Sequence, residues 1–522
     1  MARMGTGGGK RRAGKPAAGA FPEGTLPLEA KAIREASKKL RFPTKAFIQG
    51  RAVAAASGKT FLAESPANGK PLARIAECGV EDVERAVRAA RRAFEQGVWS
   101  RRPPAERKHV LLRFAELVER RAGELALLDT LEAGKPVADT LGIDLPDTVH
   151  CLRWHAEAVD KLNDQVTPTG PSHVAMIVRE PLGVVAAVLP WNFPVQMAAW
   201  KLGPILATGN SVVLKPARRT SMSALRLAEL AAEAGLPEGV LNVIPGPGSV
   251  IGEALGRHAE VDAVTFTGST EVGRLFLRYA AESNLKRVML ELGGKSPQIV
   301  FADADLDAAV RHIVPAAYWN MGENCSANSR LIVHRSVHDA VVTKVKAALR
   351  EWPVGDPLDP AVRIGPMIER AHLEKVLAYI ETGTREGAEL ALGGRRVLAE
   401  TGGWYVEPTL FVKVTNRMTI AQEEIFGPVL AVIPFETEAE AVAIANDTVY
   451  GLHASLHTKD IGTAHRVARA LRAGTVSVNC YSEGDITTPF GGFKRSGFVG
   501  RDKSMYAHFQ YTELKTVWMQ VG

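Results

Sequence analysis

Val184-Val185-Ala186-Ala187-Val188-Leu189 is an unbroken apolar run, opened by Gly183 and closed by Pro190. A half-exposed strand alternates polar and apolar residues. A run without alternation fits a strand covered on both faces, as in a parallel sheet. Working outward, similar runs begin at Val212–Leu214, Val240–Ile244 and Val264–Phe266, spaced 28, 28 and 24 residues apart. Between them lie stretches of helical spacing such as Met222 to Ala234. That interval is the length of a βαβ unit, so an open parallel sheet is predicted, with ligands expected at the carboxyl ends of its strands.

Upstream, Val80, Val83, Val87, Ala90 and Phe94 recur at helical spacing. So do Val110, Leu111, Phe114, Leu117 and Val118, after the helix-start signal Pro103-Pro104. Downstream a second α/β series is predicted. Its strands are Val288–Leu290, Ile299–Phe301, Leu331–Val333, Val429–Ile433 and Thr475–Val478, and its helices Ala308–Trp319 and Ala464–Leu471. Thr167–Val178 and Phe509–Met519 read as extended and lie outside both series.

With 522 residues, 46% hydrophobic and 23% charged, the chain is of globular type, about two to four domains long. A fully disordered or collagen-like chain is excluded. Cys78, Cys151, Cys325 and Cys480 form no CxxC pair, which excludes a disulfide scaffold and points to a reducing, cytoplasmic compartment. The net charge of +7 invites a nucleic-acid reading, but Arg3, Lys10, Arg11, Arg12 and Lys15 supply five of those charges. They sit in a Gly/Ala-rich stretch, Met1 to Ala20, that lacks the apolar run of a secretory signal and reads as a disordered basic tail. No nucleic-acid partner, membrane span or metal site is expected.

Four local motifs offer chemistry. Cys325, in Asn320-Met321-Gly322-Glu323-Asn324-Cys325-Ser326, reads alone either as a packing residue or as a thiolate nucleophile. Glu291, in Glu291-Leu292-Gly293-Gly294-Lys295 after an apolar run, reads either as a surface acid or as a general base. Pro190-Trp191-Asn192-Phe193-Pro194 reads either as a rigid turn or as a mount for an amide that stabilises an oxyanion. Phe266-Thr267-Gly268-Ser269-Thr270 turns from strand to helix and can hold a phosphate on backbone N–H groups. It is a weak dinucleotide fingerprint, because Thr270 takes the middle Gly position of GxGxxG.

Taken together and in this order, the motifs closely resemble those of the aldehyde dehydrogenase superfamily, over roughly Ala46 to Val517. Leu214-Lys215-Pro216-Ala217, Glu423-Glu424-Ile425-Phe426-Gly427-Pro428 and Pro489-Phe490-Gly491-Gly492-Phe493-Lys494 complete the set, and 34 residues separate Glu291 from Cys325. The resemblance implies an α/β fold with a tail over 1–25, a Rossmann-like cofactor domain over 26–160 and 180–290, and a catalytic domain over 291–495. A small β oligomerisation arm over 161–179 and 505–522 would join a homodimer or homotetramer. It also implies oxidation of an aldehyde to an acid with NAD or NADP. In that reading Cys325 is the nucleophile, Asn192 an oxyanion donor and Glu291 the base that activates water, with Lys295 assisting. The cofactor would be held by Trp191, Lys215, Gly248, Gly268, Ser269, Leu292, Glu424 and Phe426. Retained catalytic residues argue against a non-catalytic descendant, and Glu291 argues against a CoA-acylating enzyme.

Two departures bear on specificity. Members that prefer NAD usually carry Glu where this chain has Arg218, which either pairs with a 2′-phosphate or points to solvent. Acids are expected around the substrate channel: Asp144 and Asp147 at a helix start, and Glu483 and Asp485 before the PFGG motif. With the aromatic set Phe193, Trp200, Trp319 and Phe490 they suit a cation. The segment from Glu483 to Trp518 resembles the bacterial polyamine-catabolic branch, which includes gamma-glutamyl-gamma-aminobutyraldehyde and 4-guanidinobutyraldehyde dehydrogenases. An ω-amino or guanidino aldehyde is therefore expected, with a broad-specificity enzyme for uncharged aldehydes or semialdehydes as the alternative.

Overall fold

The computed structural model describes residues 23–522, so the basic tail at Met1 to Ala20 lies outside the described residues. The predicted parallel strands form the core of an eight-stranded sheet. Its order is Arg51–Val53, Ala46–Ile48, Leu241–Val243, Ser211–Lys215, Val184–Val188, Ala263–Thr267, Arg287–Glu291 and Gly497–Phe498. The five inner strands are parallel and the outer pairings antiparallel. Every residue of Val184–Val188 and Ser211–Lys215 is buried, which is why these runs lack alternation. The chain moves from the Val184 strand to one side and later returns to the other. The crevice at the carboxyl ends of Val184–Val188 and Ala263–Thr267 is therefore a topological switch point.

A seven-stranded sheet carries the rest of the second series: Glu389–Leu392, Thr409–Val412, Val429–Phe435, Arg330–His334, Pro297–Val300, His453–His457 and Thr475–Val478. All its pairings are parallel except the outermost, at Glu389–Leu392. Val288–Leu290 is corrected: it pairs parallel with Ala263–Thr267 and is the fifth parallel strand of the first sheet. Three strands of the seven-stranded sheet escaped the sequence reading: Glu389–Leu392, Thr409–Val412 and His453–His457. His453–His457 buries two histidines and a serine, so its polar letters hide a core strand. Thr409–Val412 is too short to stand out.

A third sheet pairs Thr512–Gln520 with His173–Pro181, and that strand with Gln165–Thr167, all antiparallel. Phe509 is corrected from extended to helical: it lies in Ser504–Gln510, which packs on helix Pro194–Ala207. Among the described residues no helix is long and apolar enough to cross a membrane, and no cluster of metal-ligating side chains occurs.

Candidate active site

A cavity of about 630 Å³ opens at the switch point, between the two large sheets. It is the size of a cofactor or small-molecule site. Cys325 enters it on an unusual turn. After helix Leu306–Tyr318, Asn320, Met321 and Gly322 all have positive φ, at 52°, 59° and 69°. A Cβ on Gly322 would lie 2.3 Å from the Gly427 carbonyl oxygen, so only glycine fits. Burial pushes the Cys325 thiol well up, and the carboxylates of Glu483, Glu424 and Glu291 add to the effect.

Asn192 lines the same cavity and is buried. One amide hydrogen goes to the Glu323 carbonyl at 2.9 Å, which leaves its second N–H for a ligand. Its backbone carbonyl is braced by Lys135 Nζ at 3.0 Å and Asn320 Nδ2 at 3.1 Å. Glu291 ends the Arg287–Glu291 strand. Both its carboxyl oxygens are buried and without a hydrogen-bond partner. Burial raises its pKa well above the usual carboxylate range, the Asp502 carboxylate adds to this, and Lys201 and Arg501 oppose it. Lys201 and Asp502 form a buried ion pair at 2.5 Å. A Cβ on Gly491 would lie 2.8 Å from Glu291 Oε1, which accounts for a glycine in the PFGG motif.

The cofactor candidates gather on the other side. Gly268 and Ser269 line the cavity where helix Thr270–Ala281 begins, and Ser269 caps that helix by accepting from the Val272 N–H at 3.3 Å. This is a cradle for a phosphate. Lys215 lines it too, with its pKa lowered to about 8 by burial, and a Cβ on Gly248 would stand 3.6 Å from its Nζ. Glu424 accepts from the Gly294 N–H at 2.9 Å, and burial raises it to about 7. Leu292, Trp191 and Phe426 complete the wall, the last two rings meeting edge to face at 5.3 Å. These groups fit a dinucleotide: a buried amine that could meet a hydroxyl, helix-start N–H groups that could meet a phosphate, and aromatic and carboxylate groups in the cavity that holds Cys325. Arg218 lines the rim, 3.0 Å from Glu77 Oε2, with its guanidinium 4.9 Å from the Phe61 ring centre.

The comparisons agree with this geometry. Residues 53–517 match the family described as aldehyde dehydrogenase family. The chain is 55% identical to an aminoacetaldehyde dehydrogenase of Pseudomonas aeruginosa, over 92% of this chain and 97% of that one. The chain belongs to the aldehyde dehydrogenase family. It is 48% identical to the NADP/NAD-dependent aldehyde dehydrogenase PuuC of Escherichia coli, again over 92% and 97%. A crystal structure of gamma-glutamyl-gamma-aminobutyraldehyde dehydrogenase from Burkholderia cenocepacia superposes with TM-score 0.93 at 52% identity, covering 95% of this chain and all of that one.

The substrate side of this aldehyde dehydrogenase is only partly as expected. Phe193, Trp200, Phe490 and Glu483 line the cavity. Asp144 is corrected: it is fully buried behind the wall and paired with Lys135 at 2.9 Å. The reason is the π-helical turn Thr140–Asp144, whose wider winding breaks the face that Asp144 was expected to share with Asp147. Asp147 does not line the cavity either. It accepts from Gln196 Nε2 at 2.7 Å and Trp200 Nε1 at 3.0 Å, and both of those side chains do line it. Asp485 is exposed and closes a local turn onto the Thr487 N–H at 3.0 Å. Trp319 packs on Phe193, ring centres 5.2 Å apart, outside the lining. Lys295 is also corrected. Its amine is buried without a partner beside a separate small cavity, its pKa lowered to about 7 by burial and by Arg330.

Sequence reasoning missed His372 and Lys375, which line the cofactor side from helix Arg370–Arg385. Their i,i+3 spacing put them on one helix face, but nothing local distinguished that face from a solvated one. The Lys201–Asp502 pair was missed because 301 residues separate its partners.

Proposed function

We propose that this enzyme oxidises an aldehyde with a cationic far end, an ω-amino or guanidino aldehyde of polyamine or arginine catabolism, to its acid. The observation that carries the reading is Glu483, a carboxylate in the wall of the cavity that holds Cys325. It is oriented by the Ser326 hydroxyl and by Asn324 Nδ2 at 3.2 Å. Its neighbours Trp200 and Phe490, ring centres 5.2 Å apart, supply an apolar sleeve for the carbon chain. The name of one similar protein, an aminoacetaldehyde dehydrogenase, supports the same class, and that of another, for gamma-glutamyl-gamma-aminobutyraldehyde, supports a nitrogen-bearing aldehyde whose amine is an amide.

In this mechanism Cys325 Sγ passes its proton to the Glu291 carboxylate and attacks the carbonyl carbon, and Glu291 releases that proton to solvent before it acts on the thioester. The oxyanion is held by the free N–H of Asn192 and the backbone N–H of Cys325. A bound dinucleotide supplies the hydride acceptor. Glu291 then takes a proton from the water that hydrolyses the Cys325 thioester. Lys215, Ser269, Glu424 and Phe426 would hold the cofactor. Arg218 gives NADP a phosphate partner, in competition with Glu77, so both cofactors are used. The enzyme works in the cytoplasm as a homodimer or homotetramer joined through the third sheet.

The test is a pair of aldehydes of equal length, 4-aminobutyraldehyde and butyraldehyde. Glu483→Gln is expected to lower kcat/KM for the amine about tenfold or more relative to the neutral aldehyde. An unchanged ratio would leave the broad-specificity reading, an uncharged aldehyde in an apolar sleeve.

A further inference from the structure

Lys503 is 3% exposed and belongs neither to the cavity lining nor to any ion pair among the described residues. Its Nζ donates to two backbone carbonyls, Glu483 at 3.1 Å and Gly484 at 3.2 Å. The same ammonium lies 4.7 Å from the Trp200 ring centre and 5.7 Å from that of Phe490. The backbone is forced to put it there. Lys503 and Ser504 have φ of 65° and 53°, in the region that non-glycine residues avoid. Phe490 and Asp502 exchange backbone hydrogen bonds of 2.6 and 2.7 Å, and the Ser504 N–H donates to the Ile486 carbonyl at 2.7 Å. A buried cation without a carboxylate is costly, and left-handed non-glycine backbone adds to the cost. An apolar side chain at 503 would fill the space without the first of these.

We propose that Lys503 is a specificity-determining positioning residue: it ties the Glu483–Gly484 turn in place and keeps a substrate cation off Trp200 and Phe490. This rests on the reading of Glu483 as the cation's anchor. The two hydrogen bonds fix the backbone from which the Glu483 side chain projects. The charge acts separately. An aromatic ring attracts a cation, but a ring with an ammonium already against it presents a second cation with repulsion across a few ångströms of low dielectric. The aromatic wall then accepts the substrate's methylenes, and its charged end is left with Glu483.

The test compares wild type with Lys503→Met, Lys503→Gln, Lys503→Arg and Glu483→Gln on 4-aminobutyraldehyde and butyraldehyde. Lys503→Met is expected to lower the amine-to-neutral ratio of kcat/KM about tenfold, through KM for the amine. Lys503→Gln keeps a donor without the charge and is expected to fall between. Lys503→Arg keeps both and is expected to restore most of the ratio. If Lys503→Met is recovered unfolded, Lys503→Gln decides. A folded Lys503→Met or Lys503→Gln enzyme that keeps the wild-type ratio, or loses kcat equally on both aldehydes, overturns the proposal. A wild-type ratio near one, or no effect of Glu483→Gln, overturns the underlying substrate reading instead.

Discussion

Glu291 faces the cavity with neither carboxyl oxygen hydrogen-bonded. Burial and the Asp502 charge raise its pKa, so it stays protonated to higher pH than a free carboxyl, and kcat limited by thioester hydrolysis rises as it deprotonates. Asp502→Asn removes a nearby negative charge and frees the Lys201 cation. Both changes favour the carboxylate, so the acidic limb of the kcat profile is expected to move to lower pH. Glu291→Gln is expected to release one equivalent of reduced cofactor and then turn over about 10²–10⁴-fold more slowly, read by stopped flow. The identity of these residues was legible in short motifs. Their protonation was not, because it depends on groups such as Asp502 and Lys201 that are remote in sequence.

At the scale of elements, the nucleophile turn and the π-helical turn are where local reading failed. The helical spacing over Ala308–Trp319 is a sound predictor, and the helix is observed as Leu306–Tyr318. Three left-handed residues follow its end, Asn320 to Gly322, and the last packs so closely on Gly427 that a Cβ has no room, a tertiary fit that periodicity cannot express. Gly322→Ala is expected to cost about 1–3 kcal/mol and to lower kcat as Cys325 shifts, measured by denaturant unfolding and steady-state rates. The π-helical turn buries Asp144 against Lys135, and that pair braces the Asn192 carbonyl. Lys135→Met strands the Asp144 charge, with an expected loss of about 3–5 kcal/mol, read as a fall in unfolding midpoint.

At the scale of the molecule, the cavity joins groups from both large sheets, and its two ends pose separate questions. At the cofactor end, Arg218→Glu is expected to reduce kcat/KM for NADP about tenfold or more relative to NAD. A ratio that stays put assigns Arg218 to its pairing with Glu77 alone. At the periphery, the third sheet exposes Val166, Leu514 and Trp518 at 75%, 59% and 63%, apolar surface that another subunit would cover. Trp518→Glu is expected to shift sedimentation toward smaller species.

The amino-acid sequence by itself determined the α/β class, four of the five parallel strands of the first sheet, and the residues Cys325, Glu291 and Asn192 as candidates. Those features rest on local hydrophobic patterning and short motifs, which a linear reading contains. Tertiary structure alone decided which acids face the cavity. Asp144, Asp147, Glu483 and Asp485 are equivalent carboxylates in the linear chain. A π-turn, two wall-lining donors, an oriented pocket wall and an exposed loop give them four different fates. A charge acquires its role from the dielectric and partners around it, and for these acids the partners lie between two and 157 residues away along the chain.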